Sequence, residues 1–312
     1  MKIVVAGGSG QVGQVIVPFL RAGGHNVVVL GRSGNDVTPW DGKTLGSWTS
    51  EIDGSDVLIN LAGRSVNCRY GPANRREIMD SRIDSTRVLG RAVMSASKPP
   101  KTWLQASTAT IYRHRFDAPN DDIDGELGGY EPGAPDTWNF SIDVAKSWER
   151  ECNSAVTPNT RRVLMRSAIT LSPSRGGAFD VLLGLVRKGI GGTDGDGKQF
   201  VSWVHDHDFA RAVQFLIDRE DLDGPINIAS PNPLPNKDFM RTLREAWGIK
   251  IGLPAPNTLL EIAAFFMQTE TELVLKSRRV VPTRLVQAGF SFEFPLWPDA
   301  ARDLVARWRA LA

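Results

Sequence analysis

Residues 1–32 read MKIVVAGGSGQVGQVIVPFLRAGGHNVVVLGR, and this stretch determines the architecture of the chain. A β-branched run predicts a short strand at Lys2–Ala6, and apolar residues at helical spacing predict a helix from Gln11 to Arg21. Asn26–Leu30 has the pattern of a second buried strand. The turn between the first strand and the helix carries glycine at every third position: Gly7, Gly10 and Gly13. The stretch therefore predicts a strand, a glycine-rich turn, a helix and a strand.

The three glycines are typical of a turn that cradles a dinucleotide. Gly7 lets the chain turn sharply off the strand, Gly10 lets the backbone approach a pyrophosphate, and Gly13 lets the helix pack closely on the sheet. The N-terminus of the helix then faces the phosphate charge. The alternative is an ordinary turn with glycine for a positive φ, which would not need three glycines in register. We expect the cofactor to be bound by Gly7, Ser9, Gly10, Gln11, Val12 and Gly13.

The end of the second strand distinguishes NADP from NAD. A turn that binds NAD usually offers Asp or Glu there, to hold the ribose hydroxyls. Here the strand ends in Leu30-Gly31-Arg32-Ser33, without an acid. The guanidinium of Arg32 suits a 2′-phosphate, and Ser33 can donate another hydrogen bond. We therefore predict NADP (NADPH) as the cofactor; the alternative is that Arg32 is a solvated surface cation.

Composition excludes several other classes of protein. The 312 residues include 37 basic and 35 acidic side chains, a balance that argues against a nucleic-acid-binding protein. Two cysteines, Cys68 and Cys152, have no disulfide or metal-ligand spacing, which favours a reducing compartment. The longest later apolar run, Ile262–Met267, is far shorter than a membrane span, and the amino terminus is too short for a signal-peptide core. We expect a cytoplasmic protein with neither a membrane nor a nucleic-acid partner.

Strand and helix patterns alternate after the opening stretch. Buried strands are predicted at Asp56–Asn60, Thr102–Ala106 and Arg162–Met165, and long helices at Ala73–Ala96 and Phe140–Cys152. Such alternation predicts an α/β fold of the Rossmann type, with a doubly wound parallel sheet. The ligand should then lie beyond the carboxyl ends of the strands.

The pattern loosens after about residue 170. We predict a Rossmann domain for NADP at 1–170 and, at 171–312, a smaller carboxyl-terminal substrate or lid domain, some segments of which return to the sheet.

Four motifs together resemble a known family: Gly7-x-x-Gly10-x-x-Gly13, Asn60-Leu61-Ala62-Gly63, Ser81-Arg82-x-x-x-Thr86 and Trp148-Glu149. The chain resembles an atypical short-chain dehydrogenase/reductase, in the epimerase-like branch of unknown substrate within the NAD-dependent epimerase/dehydratase superfamily. The resemblance extends over essentially the whole chain and implies a small carboxyl-terminal domain. It also implies a homodimer formed through two helices of the sheet domain.

The resemblance implies a catalytic Ser or Thr, Tyr and Lys beside the nicotinamide. These positions fall on Thr108, Ile142 and Lys146, so the lysine is present and the tyrosine is missing. Ile142 can neither donate nor accept a proton. Tyr112 is the nearest replacement phenol, although a tyrosine at this place often has a structural role. His205 is either a substrate contact or a structural histidine, and we predict no metal site.

Further cofactor contacts are expected along the same edge of the sheet. Arg82 could reach a phosphate or ribose, or form a salt bridge with Glu77 or Asp80. Arg166 either contacts the ligand or belongs to a structural ion pair, and Lys146 is either a cofactor contact or a solvated lysine. The predicted additional contacts are Leu61, Ala62, Gly63, Glu77, Arg82, Lys146 and Arg166.

Two functions remain open from the sequence. The first is an NADP(H)-dependent oxidoreductase or epimerase-like enzyme for a small polar carbonyl or sugar-like substrate, with Thr108, Lys146 and Tyr112 as catalytic candidates. The second is a catalytically weak NADP(H)-binding sensor or scaffold, which the missing tyrosine favours.

Overall fold

A seven-stranded sheet forms the centre of the protein, in a computed structural model that describes residues 1–34, 36–254 and 276–311. In chain order the strands are β1 (Lys2–Ala6), β2 (Asn26–Gly31), β3 (Thr38–Pro39), β4 (Val57–Asn60), β5 (Thr102–Thr108), β6 (Arg161–Ser167), β7 (Ile169–Leu171), β8 (Phe200–Val201), β9 (Trp203–His205), β10 (Gly224–Ile228) and β11 (Leu234–Pro235). The order across the sheet is β10-β6-β5-β4-β1-β2-β3, and every neighbouring pair is parallel. The predicted doubly wound α/β fold is confirmed.

Helices cover both faces of this sheet. The helices of the described residues are α1 (Gln11–Ala22), α2 (Thr49–Ile52), α3 (Pro72–Ser95), α4 (Asp136–Ser154), α5 (Ala178–Arg187), α6 (Asp206–Asp218), α7 (Asn236–Trp247), α8 (Thr283–Gln287) and α9 (Trp297–Ala310), of which α1 and α6 lie on one face of the sheet and α3 on the other. Ile3 and Val5 of β1 pack with α1 and α6, whereas Val4 and Ala6 pack with α3 on the opposite face. All four side chains are completely buried, as expected for a strand covered on both faces.

Helix α4 begins one turn before the start that apolar periodicity predicts. Pro135 precedes it in an extended conformation, and Asp136 lies in the first turn. A carboxylate there is favourable because the N-terminus of a helix carries partial positive charge. The extra turn has few apolar residues, which is why periodicity alone did not include it.

The part of the chain after residue 170 contributes to two regions. Strand β10 pairs with β6 at the edge of the large sheet, and α6 packs against α1. A separate apolar cluster forms between α5, α7 and α9 around Trp203, Phe239 and Trp297. The division into domains at 1–170 and 171–312 stays a prediction.

In the part of the chain that the structure describes, no helix is both long enough and apolar enough to cross a membrane. The apolar run Ile262–Met267 lies outside the described residues.

Candidate functional site

The glycine turn after β1 has no room for side chains. Gly7 has φ +76°, and a Cβ there would lie 2.9 Å from the backbone of Ala62. A Cβ on Gly13 would collide with the carbonyl of Gly8, so this glycine serves the turn itself and not the predicted packing of helix on sheet. Close packing of the helix on the sheet instead depends on Gly8, because a Cβ added to Gly8 would lie about 3.0 Å from Val29. In the sequence, the adjacent pair Gly7-Gly8 indicates this close packing, whereas the three-residue spacing of Gly7, Gly10 and Gly13 does not include Gly8.

The N-terminus of α1 is open to an anion. Gly10 caps the helix without a side-chain hydrogen bond, and the first backbone N–H groups of a helix have no acceptor within it. These groups belong to Gln11, Val12 and Gly13. The Gln11 side chain is already engaged, since Nε2 donates to the Gly176 carbonyl at 2.8 Å. The backbone of this turn, rather than the Gln11 side chain, therefore suits a pyrophosphate.

Arg32 and Ser33 are exposed just beyond the carboxyl end of β2, near the glycine turn. Ser9 faces the same corner, because a Cβ on Gly31 would lie 3.4 Å from its hydroxyl oxygen. Across residues 1–34, 36–254 and 276–311, Arg32 forms no ion pair. A positive charge without a carboxylate partner lies where an adenosine ribose would extend from the turn.

Asn60 shapes the next segment, Leu61–Gly63. Its Nδ2 donates to Thr86 at 3.2 Å and Gln105 at 3.0 Å, while its Oδ1 accepts the backbone N–H of Ala62. The side chain is completely buried, so all of these bonds are shielded from water. The sequence included Asn60 in a motif but assigned it no role.

A cavity of about 200 Å³ opens beyond the carboxyl ends of β5 and β6, between α3 and α4. Thr108 lines it, and its Oγ1 accepts the N–H of Thr110 at 3.2 Å. The hydroxyl hydrogen of Thr108 is therefore available to donate. The polar and aromatic side chains of the walls belong to Tyr70, Arg82, Thr108, Thr110, Phe140, Ser141, Trp148, Ser167 and Arg278.

Arg82 extends from α3 into the cavity wall. Its Nη1 donates to the carbonyls of Arg64 and Ile78, and its guanidinium lies over the Trp148 ring at 4.9 Å. The alternative of a salt bridge is not supported: Glu77 pairs with Arg64, and among the described residues Arg82 forms no ion pair with Asp80. Burial lowers the pKa of Arg82 to about 10.

Ile142 and Lys146 lie side by side on α4, but neither is among the cavity-lining residues. Ile142 is buried against Gly128, and the Lys146 ammonium lies beside Gly129. The structure therefore does not bring Lys146 into the cavity with Thr108. Its cofactor role stays a prediction.

Arg166 and Tyr112 belong to one buried polar network. Arg166 forms two 2.8 Å bonds to Glu149, which also accepts from Ser107, and a third bond of 3.0 Å to the Tyr112 hydroxyl. Tyr112 in turn donates to Asn227 at 2.9 Å. Although burial acts to lower the pKa of Arg166, the bonds to Glu149 outweigh it and raise that pKa.

This network bears on two expectations. Arg166 is part of the structural ion pair that the sequence left as the alternative, with its guanidinium taken up by Glu149 and Tyr112. The Tyr112 hydroxyl is buried with both bonds filled, and burial raises its pKa. The geometry therefore speaks against Tyr112 as a proton donor, and favours a structural role.

His205 is also structural. Its Nε2 lies 2.9 Å from Asp303, its Nδ1 accepts the N–H of His207, and its ring stacks on Phe294 at 3.9 Å. No group of three or more His, Cys, Asp or Glu side chains suited to a metal ion occurs among the residues described.

The fold and the glycine turn define a class of protein, the dinucleotide-binding Rossmann proteins. Residues 3–134 match the NAD dependent epimerase/dehydratase family, and residues 255–304 match a domain of unknown function, DUF1731. The epimerase family protein SDR39U1 of Bos taurus is 30% identical over 98% of this chain and 100% of its own length. The chain belongs to this epimerase family, as the sequence motifs predicted.

Two further relatives extend the comparison. The epimerase family protein YfhF of Bacillus subtilis is 29% identical, over 98% of each chain. The second is human epimerase family protein SDR39U1 (isoform 2), whose crystal structure was determined with NADPH. Its sequence is 26% identical to this chain, and the two structures superpose with a TM-score of 0.87 over 98% of this chain and 99% of the human chain.

Proposed function

We propose that the protein is an NADP(H)-dependent oxidoreductase of the epimerase-like type, acting on a small polar carbonyl or sugar-like substrate. The observation that carries the proposal is the exposed Arg32 at the end of β2, beside a glycine turn that no larger residue could form. The human relative crystallised with NADPH supports the same cofactor.

The residues present fit such a cofactor. The open N–H groups at the start of α1 would hold the pyrophosphate, and Arg32 and Ser33 the 2′-phosphate. Leu61–Gly63 would border the cofactor beside the glycine turn, because a Cβ on Gly7 would lie 2.9 Å from the backbone of Ala62. We keep Lys146 as the proposed ribose contact and omit Glu77 and Arg166, whose charges are paired within the protein.

When bound, NADPH supplies a hydride for the reduction of a carbonyl group. Thr108 can donate its free hydroxyl hydrogen to the carbonyl oxygen, polarising the carbon that accepts the hydride. Ile142 carries no proton, and the Tyr112 hydroxyl is occupied, so we assign the proton to water in the cavity.

Titration of protein fluorescence with NADPH and NADH tests the cofactor. We expect Arg32→Ala to weaken NADPH binding about tenfold while leaving NADH unchanged, because only NADPH carries the 2′-phosphate. Arg91→Ala, an exposed arginine on α3, is the matched control. Equal affinity of the wild type for both cofactors would refute the NADP preference.

A screen of carbonyl compounds, followed by NADPH absorbance, tests the reaction. Thr108→Ala should lower kcat by about 100-fold if its hydroxyl stabilises the developing charge. Lys146→Ala should raise the KM for NADPH. Turnover that survives both substitutions would refute this site.

The composition of the cavity favours a second function, a catalytically weak NADP(H)-binding sensor or scaffold. The described residues that line it include no Asp, Glu, His or Lys, and their one phenol is that of Tyr70. Turnover by the wild type would exclude this second function.

We also propose a cytoplasmic homodimer. The free cysteines Cys68 and Cys152 support a reducing compartment. Light scattering on the purified protein measures its mass, and a monomer at micromolar concentration would contradict the dimer.

A further inference from the structure

The charged side chains among the described residues of the cavity wall are all of one sign. Its described lining residues include Arg82 and Arg278 and no carboxylate. Tyr70, Phe140 and Trp148 add flat apolar surface. A wall of this composition complements a small ligand with a negative charge and a planar body.

Arg82 still has hydrogen-bond donors to offer. Its hydrogen bonds within the described residues use only Nη1, toward two backbone carbonyls. Within the described ranges no carboxylate lies within 4.0 Å of it, and Nε and Nη2 have no acceptor. Trp148 and the Gly63 backbone hold the guanidinium plane from the side, because a Cβ on Gly63 would lie 3.1 Å from its central carbon. The group is thus fixed in place before any ligand binds.

The cavity that Arg82 lines is separate from the helix N-terminus suited to the pyrophosphate, although the guanidinium also touches the backbone of Gly63. The helix N-terminus suited to a pyrophosphate follows β1, whereas the cavity lies beyond β5 and β6, and β4 stands between them in the sheet. Arg82 shares the cavity with Thr108, the residue proposed to polarise the substrate.

We propose that Arg82 binds a carboxylate of the substrate, so that the substrate is a small planar 2-oxo acid or a carboxylate of similar shape. This inference rests on the proposed function, because it identifies the class of substrate for that same cavity. The free edge of the guanidinium receives the two carboxylate oxygens in parallel hydrogen bonds. The carbonyl oxygen of the same molecule then lies within the cavity that Thr108 lines.

Calorimetric titration with benzoylformate and methyl benzoylformate tests the proposal. The two compounds share the ring and the carbonyl, and only the first is charged. We expect the wild type to bind the acid at least tenfold more tightly than the ester, without cofactor and with NADP+. Arg82→Met should remove this preference, and Arg82→Lys should keep part of it because the charge remains. Arg91→Met, on the same helix, is the matched control and should keep the full preference.

Three outcomes overturn the inference. They are equal binding of acid and ester by the wild type, an acid preference that survives Arg82→Met, and a loss of NADPH affinity in Arg82→Met as large as the loss for the acid. The comparison of acid with ester in the wild type decides the question even if Arg82→Met does not fold. Wild-type protein that binds the acid but not NADPH would refute the proposed function and leave the carboxylate site standing. Binding of NADPH without any binding of the acid would do the reverse.

Discussion

His205 lies completely buried between Phe294 and Asp303, and burial lowers its pKa more than Asp206 and Asp303 raise it. In the unfolded chain this histidine titrates near 6.5. As the pH falls below that value, the unfolded state binds a proton that the folded state does not bind. The free energy of unfolding therefore decreases. We expect this loss between pH 7 and 5, at no more than about 1.4 kcal/mol per pH unit for one histidine.

Urea unfolding at a series of pH values measures this dependence. His114 also has a pKa lowered by burial, so two histidines contribute to the slope. His205→Gln should make the slope shallower below pH 6.5 and leave it unchanged above pH 7.5. An unchanged slope in the variant would show that His205 is not the group responsible.

Glu149 and Arg166 provide a second prediction for single residues. Both side chains are more than nine-tenths buried, and each neutralises the charge of the other. Glu149→Ala leaves a buried guanidinium without its carboxylate and should cost about 3–5 kcal/mol of unfolding free energy. The double variant Glu149→Leu, Arg166→Met should be more stable than either single variant, because no unpaired charge remains. Additive losses in denaturant unfolding would contradict this.

The glycine turn provides a prediction for one element. Ala at position 13 would press against the carbonyl of Gly8, so Gly13→Ala should lower the unfolding free energy by about 1–3 kcal/mol and weaken NADPH binding. Gly184, in the middle of α5, has no atom within 4 Å of a Cβ added there. Gly184→Ala should therefore stabilise the protein by about 0.5–1 kcal/mol. Thermal unfolding and cofactor titration of both variants check the contrast.

The periodic elements follow from local sequence, whereas side-chain partners do not. Strand β1 and helix α3 were predictable because burial on a sheet and on one helix face leaves a repeating apolar pattern. The pairing of Arg166 with Glu149 joins residues 17 apart on a strand and a helix, and that of Tyr112 with Asn227 joins residues 115 apart. No local pattern records such contacts. Sequence alone therefore leaves the roles of Arg166 and Tyr112 open, and the fold identifies their partners.

At the scale of the whole molecule, distant segments share one set of buried hydrogen bonds. Asp122 accepts the N–H groups of Asn227 and Arg284, and the Asn227 side chain donates to the carbonyl of Val281. Because these bonds join β10 to segments before and after it, we expect a single cooperative unfolding transition. Far-ultraviolet circular dichroism and tryptophan fluorescence should then follow the same urea curve.

Asp122→Ala tests the coupling. The substitution leaves two N–H groups without an acceptor, at a cost of about 1–3 kcal/mol each, and should shift both curves equally. Two separate transitions in the wild type would instead support independent folding units at 1–170 and 171–312.

The two cysteines have very different surroundings. Cys152 is completely buried, and burial raises the pKa of its thiol to about 12, so it resists alkylation. Cys68 is half-buried in the segment that contributes Val66 and Tyr70 to the cavity wall. A thiol-reactive fluorophore should therefore attach at a single place, at the margin of the cavity. The natural protein can thus carry an optical probe for what enters the cavity, without any engineered cysteine.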